Sequence, residues 1–174
     1  NKMKTIITTL VLIIASYTSL IPCTNLLVSK GATADGSTMI TYAADAGGFM
    51  ERLFYLPEAK HEAGEMLEVH DWDTGKYLGE IEQVPHTYRV VGNMNQHQLT
   101  IGETTFTGLD EYRDTTGLID YGSLMRITLQ RAKTAREAIK VIEELTSKYG
   151  YYSTGESFSI ADPNEVWIMD LHPK

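Results

Sequence analysis

The chain has one cysteine, Cys23, in 174 residues, so no internal disulfide can form. Positive charge is scarce too: 15 Lys+Arg stand against 23 Asp+Glu, for a net charge of −8. A chain this acidic offers no basic face to displace counterions from a phosphate backbone, which excludes a nucleic-acid binder. No apolar run reaches the roughly 20 residues a membrane-crossing helix needs. Low-complexity tracts and internal repeats are missing, and 43% of the residues are hydrophobic, which excludes a disordered chain. Metal-ligand spacing is also lacking. The histidines (61, 70, 86, 97 and 172) are scattered, and His61-Glu62 lacks the second histidine of a zinc helix. The glycines at 31, 36, 47 and 48 come without a Walker lysine or a strand–loop–helix context, so they read as turns. What is present is one acidic domain of ordinary size, long enough to bury a core without staples.

The first 22 residues differ in character from the rest. Lys2 and Lys4 precede an apolar run from Ile6 to Ile14, broken only by Thr8 and Thr9, and small or polar residues (Ala15, Ser16, Thr18, Ser19) follow. A basic start, a short apolar centre and a small-residue exit describe a secretory signal peptide, with a buried first helix or strand as the alternative. The expected division is therefore a leader over 1–22 and a domain from 23 onward, exported to a periplasmic or extracellular space. An odd cysteine in an exported chain pairs with another chain or is kept for chemistry. Leu20-Ile21-Pro22-Cys23 also faintly resembles a lipoprotein signal, which would make Cys23 a lipidation site on a secreted binding module.

Along the body, 24–29 reads as a strand, Asp35-Gly36 as a hairpin turn and 37–43 as the returning strand. Residues 49–56 form a further strand stopped by Pro57. The stretch 58–83 reads as irregular, with a hairpin or surface loop around Thr74-Gly75. Runs 87–95 and 98–105 are strand-like, and Leu99 and Ile101 alternate as in a half-buried sheet. Thr134-Ala-Arg-Glu137 is a capping box opening a helix whose Ala135, Ala138, Ile139, Ile142 and Leu145 share a face, closed by Gly150. Residues 121–133 form a preceding helix, and "SFSIAD" and "VWIMDL" a closing hairpin. Strands and helices in blocks predict an α+β class. The last strand has no later element to cover its edge, so the expectation is an incomplete domain.

For chemistry, Cys23 stands out by position. A free thiol with a pKa near 8.5 is little ionised at neutral pH and needs a base. If the chain is cut before Cys23, its own α-amine, with a typical pKa of about 7.7–8.0, can serve as that base. The bland alternative is a small buried hydrophobe.

"CTNLLVSKGATADGSTMITYAAD" from Cys23 resembles the start of the mature dipeptidase A-like cysteine peptidases. "VVGNMNQHQLTIGETT", "TTGLIDYGSLMRITLQRAKTAREAIKVI" and "GESFSIADPNEVWIMD" resemble successive blocks of the same family, in order. These are N-terminal-nucleophile hydrolases, relatives of the bile-salt and penicillin V acylases. The resemblance implies a four-layer αββα sandwich, hydrolysis of dipeptides or short peptides, and no cofactor. It also implies that residues 23–174 are the N-terminal part of a longer domain. Homo-oligomerisation is left open, and the membrane enters only through the transient leader. Carried over by position, Cys23 matches the nucleophile and Asp45 the acid near the end of the second strand. Tyr42 stands where the acylase relatives have an arginine. Thr105 aligns with their oxyanion asparagine, and Asn93 and Asn95 are weaker candidates for that role. An acylase-like amidase is the alternative activity.

Overall fold

The computed structural model describes residues 23–44 and 53–172. The proposed leader (1–22), Asp45 and the first half (49–52) of the strand expected at 49–56 lie outside the described residues.

Strand β1 (Thr24–Val28) and β2 (Met39–Ala43) pair antiparallel from Thr24↔Ala43 to Val28↔Met39. At the connecting turn, Gly36 takes φ +74° and the Asp35 carboxylate accepts from both the amide and the hydroxyl of Ser37. Two short strands follow, β3 (Tyr55–Leu56) and β4 (Ala59–Lys60). The next segment is more regular than its polar composition suggests. β5 (Met66–His70) and β6 (Tyr77–Glu82) form a hairpin around the expected loop, where Asp71 accepts from the Thr74 amide and hydroxyl. The pattern is easy to miss because only Leu67, Val69, Leu78 and Ile81 pack inward, among mostly polar or charged neighbours.

The chain then makes β7 (His86–Thr87), β8 (Val90–Val91), β9 (Met94–Asn95) and the long β10 (Thr100–Thr107). Helix α1 (Tyr121–Arg131) is capped by Asp120, whose carboxylate accepts from the amides of Gly122 and Ser123. Helix α2 (Ala135–Tyr149) opens with Thr134 accepting from the Glu137 amide, as the capping box predicts, and closes at Gly150. β11 (Gly155–Ala161) and β12 (Val166–Leu171) follow.

The main sheet runs β12-β11-β10-β9-β8-β3, antiparallel throughout. Its inner face carries Ile101, Phe158 and Ile160, fully buried against α1 and α2 through Leu124, Leu129 and Ile142. The β1–β2 hairpin lies on the opposite face, against β10 and β11. Asn25 fastens it there, donating to the Glu103 carbonyl and to Ser159 Oγ. The class is α+β, as expected. Among the described residues the layers are a helix pair, a sheet and a two-stranded hairpin.

Candidate active site

β9 meets β10 only at Thr100. The Ile101 amide still donates to the Asn93 carbonyl. Past Ile101 no strand among the described residues pairs with β10 on this side, and a cavity of about 340 Å³ opens along its edge. Each wall comes from a different element. Cys23 and Tyr42 reach it from the hairpin, Gly92 and Asn93 from the β8–β9 turn, and Glu103 and Thr105 from β10. Trp72 and Asp73 come from the β5–β6 loop, and Tyr121, Met125 and Arg126 from α1. The Arg126 guanidinium stacks 4.1 Å from the Trp72 ring centroid and 4.9 Å from that of Phe54. This mixture of apolar wall and few convergent polar groups suits a small-molecule site.

Of the residues singled out from sequence, Cys23, Asn93 and Thr105 share this cavity. Cys23 is half-buried at the entrance to β1 with its thiol free. Asn93 donates to the Ile101 carbonyl. Asn95, the other asparagine candidate for the oxyanion role, is not among the residues that line this cavity. Its side-chain amide donates to the carbonyls of Leu129 and Ala132, and its carbonyl accepts from the amides of His97 and Leu99. All its bonding capacity goes to tying a tight turn to the end of α1.

The residues that sequence reasoning missed are two acids. Glu103 and Glu156 are 3% and 1% exposed. Tyr42 donates its hydroxyl to Glu103 Oε1 at 2.7 Å. Thr105 has one hydroxyl proton, and its 2.9 Å contact gives that proton to Glu156 Oε1. Burial pushes the Glu156 carboxyl well above the usual carboxylate range, and hydrogen bonding with Glu103 and the charge on Glu103 push it further. Glu156 is therefore the member that keeps its proton, shared with Glu103. Burial and the Glu103 bond also push the Tyr42 phenol up, so it remains a donor. A signal for both acids lies in the alternation: Glu103 continues the inward series Leu99, Ile101, and Glu156 the series Ile160, Phe158.

This pair has a measurable pH signature. The unfolded chain ionises Glu156 in the ordinary range while the fold holds its proton to higher pH. Stability therefore falls as pH rises from that range towards the raised value. Glu156→Gln keeps a donor towards Glu103 and has no proton to lose. Between pH 5 and pH 9 the wild-type melting temperature should fall by at least about 3 °C more than that of the variant, one pKa unit being about 1.4 kcal/mol. Parallel melting curves would mean that Glu156 is ionised in the fold.

Among the described residues, no group of three or more His, Cys, Asp or Glu is placed to hold a metal ion. Residues 49–172 match the family model for Peptidase family C69; Cys23 and the first hairpin precede that segment. A curated protein of Latilactobacillus sakei described as "Probable dipeptidase" is 26% identical over 171 residues, covering 86% of this chain. The chain spans 34% of that relative's length. With the match extending across both helices and every strand from β3 to β12, the chain belongs to peptidase family C69.

Proposed function

We propose that the protein hydrolyses dipeptides or short peptides, with Cys23 as an N-terminal nucleophile once the residues before it are removed. The observation that carries this reading is the place of Cys23: the only thiol of the chain stands at the mouth of a peptide-sized cavity, at the first strand of the hairpin. Family membership and the relative's printed description support peptide-bond hydrolysis, and the αββα sandwich of N-terminal-nucleophile hydrolases is the architecture we assign to the whole protein.

In the reaction, the Cys23 α-amine takes the thiol proton as the sulfur attacks the substrate carbonyl carbon. Asp45 orients that amine. We assign the tetrahedral oxyanion to donors on the open edge of β10 and to Asn93, which keeps a second side-chain N–H; Thr105 can join them only by releasing its proton from Glu156. Collapse breaks the C–N bond, and the α-ammonium returns its proton to the departing amine. Water then attacks the thioester, releasing the carboxylic acid and restoring the thiol.

The test combines N-terminal sequencing of the exported protein with hydrolysis of a dipeptide panel beside a bile-salt conjugate and penicillin V. A mature N-terminus at Cys23 with amino-acid release from dipeptides is expected. Cleavage of the conjugate or penicillin alone would support the acylase-like reading. A diacylglyceryl mass on Cys23 would support the lipid-anchored one. A mature N-terminus elsewhere in active enzyme would overturn the N-terminal-nucleophile assignment.

A further inference from the structure

Glu103 is a buried carboxylate whose hydrogen-bond partners are all neutral. Tyr42 supplies a phenol O–H, and Glu156 supplies the proton it keeps. The Thr105 hydroxyl stands at 3.5 Å from Oε2 with its proton directed to Glu156. None of the four ion pairs among the described residues includes Glu103. A buried anion is costly unless a cation meets it, and a carboxylate has about four lone-pair sites, more than these donors fill. Glu156 Oε2, also buried, meets no other protein donor. The remaining capacity of Glu103 opens on the cavity that holds Cys23.

We propose that Glu103 is the specificity residue that binds the free α-ammonium of the peptide substrate, so that the enzyme selects peptides with an unblocked amino terminus. This rests on the hydrolase reading above. Asp73 also lines the cavity and accepts from the Tyr121 hydroxyl, but it is exposed, and water screens its charge. Glu103 acts from the dry wall, where a charge-assisted N–H···O bond is strongest. Tyr42 positions it: the ring lies over Gly102, and the hydroxyl passes the unpaired edge of β10 to reach Oε1. An uncharged analogue would leave the carboxylate desolvated and unmatched. Sites of this kind reject a substrate lacking the polar group far more strongly than apolar pockets reject a missing methylene.

The test compares alanyl-leucine with propanoyl-leucine, in which hydrogen replaces the α-amine and little else changes. It uses the protein expressed from its complete reading frame. Wild type should prefer the alanyl compound by about 100-fold or more in kcat/KM. In Glu103→Gln the ratio should collapse to within about fivefold. Tyr42→Phe, which keeps the ring on Gly102, should give an intermediate ratio, expressed mainly in KM. A wild-type enzyme that hydrolyses both compounds equally overturns the proposal, and that result stands whether or not the glutamine variant folds. So does an equal loss on both compounds in Glu103→Gln, the result expected if Glu103 serves the Cys23 amine. No Cys23-dependent cleavage of either compound would overturn the hydrolase reading, and the proposal with it.

Discussion

Cys23→Ala should lower peptide hydrolysis by at least about 10⁴-fold, the scale seen when a nucleophile is deleted from an enzyme that forms a covalent intermediate. The fold should be unaffected, because Cys23 is half-buried just outside β1 and makes no core contact. The same variant should retain residues 1–22 if the chain cuts itself at Pro22–Cys23. Cys23→Ser should process slowly and turn over weakly, since a hydroxyl keeps the geometry but ionises far less readily than a thiol. Steady-state hydrolysis of a dipeptide and intact mass of the purified variants decide both points. Normal turnover by the alanine variant would remove Cys23 from the chemistry.

Asn95→Ala should have the largest effect on stability. Asn95 is 5% exposed, and the substitution deletes four hydrogen bonds at once. Two amides and two carbonyls then stay buried without that partner. With a net value of about 1 kcal/mol per bond and an added penalty for stranded groups, the loss should be about 3 kcal/mol or more. A domain of this size should melt roughly 6–12 °C lower. Because Asn95 lies off the cavity wall, turnover per folded molecule at low temperature should stay within about threefold of wild type. A melting point within about 2 °C of wild type would show that water replaces the amide. A selective loss of turnover with unchanged stability would restore Asn95 to the reaction.

The elements legible in the sequence are those specified by local chemistry. The Thr134/Glu137 cap, the Gly150 stop, the Asp35-Gly36 turn and the β11–β12 hairpin all depend on residues a few positions apart, and each is where its signal predicts. The β5–β6 turn at Thr74-Gly75 is legible, but its strands, which read as irregular, were hidden because their inward positions are few and their outward ones mostly charged. The acid pair was hidden for a different reason. Glu103 and Glu156 are 53 positions apart, and only the β10–β11 register brings them to one face. A glutamate in a core slot reads as a solvated side chain until its partner is known. Asn95 shows the reverse case: beside "GNMNQ" an amide looks available for chemistry, yet the end of α1, 34 residues on, claims it.

Two positions that carry no functional group set the dimensions of the cavity. A Cβ at Gly102 would stand 3.0 Å from that of Tyr42, and one at Gly122 only 2.4 Å from Trp72 Cγ. A methyl group at 102 would wedge the hairpin off the sheet, taking Cys23 with it. A methyl group at 122 would displace the indole from its place on the cavity wall. As the protein diverges, the acids and the aromatic wall can be exchanged for others that suit a new substrate. These two glycines leave inheritance no smaller alternative, so the distance between thiol and floor is the part of the site least free to drift.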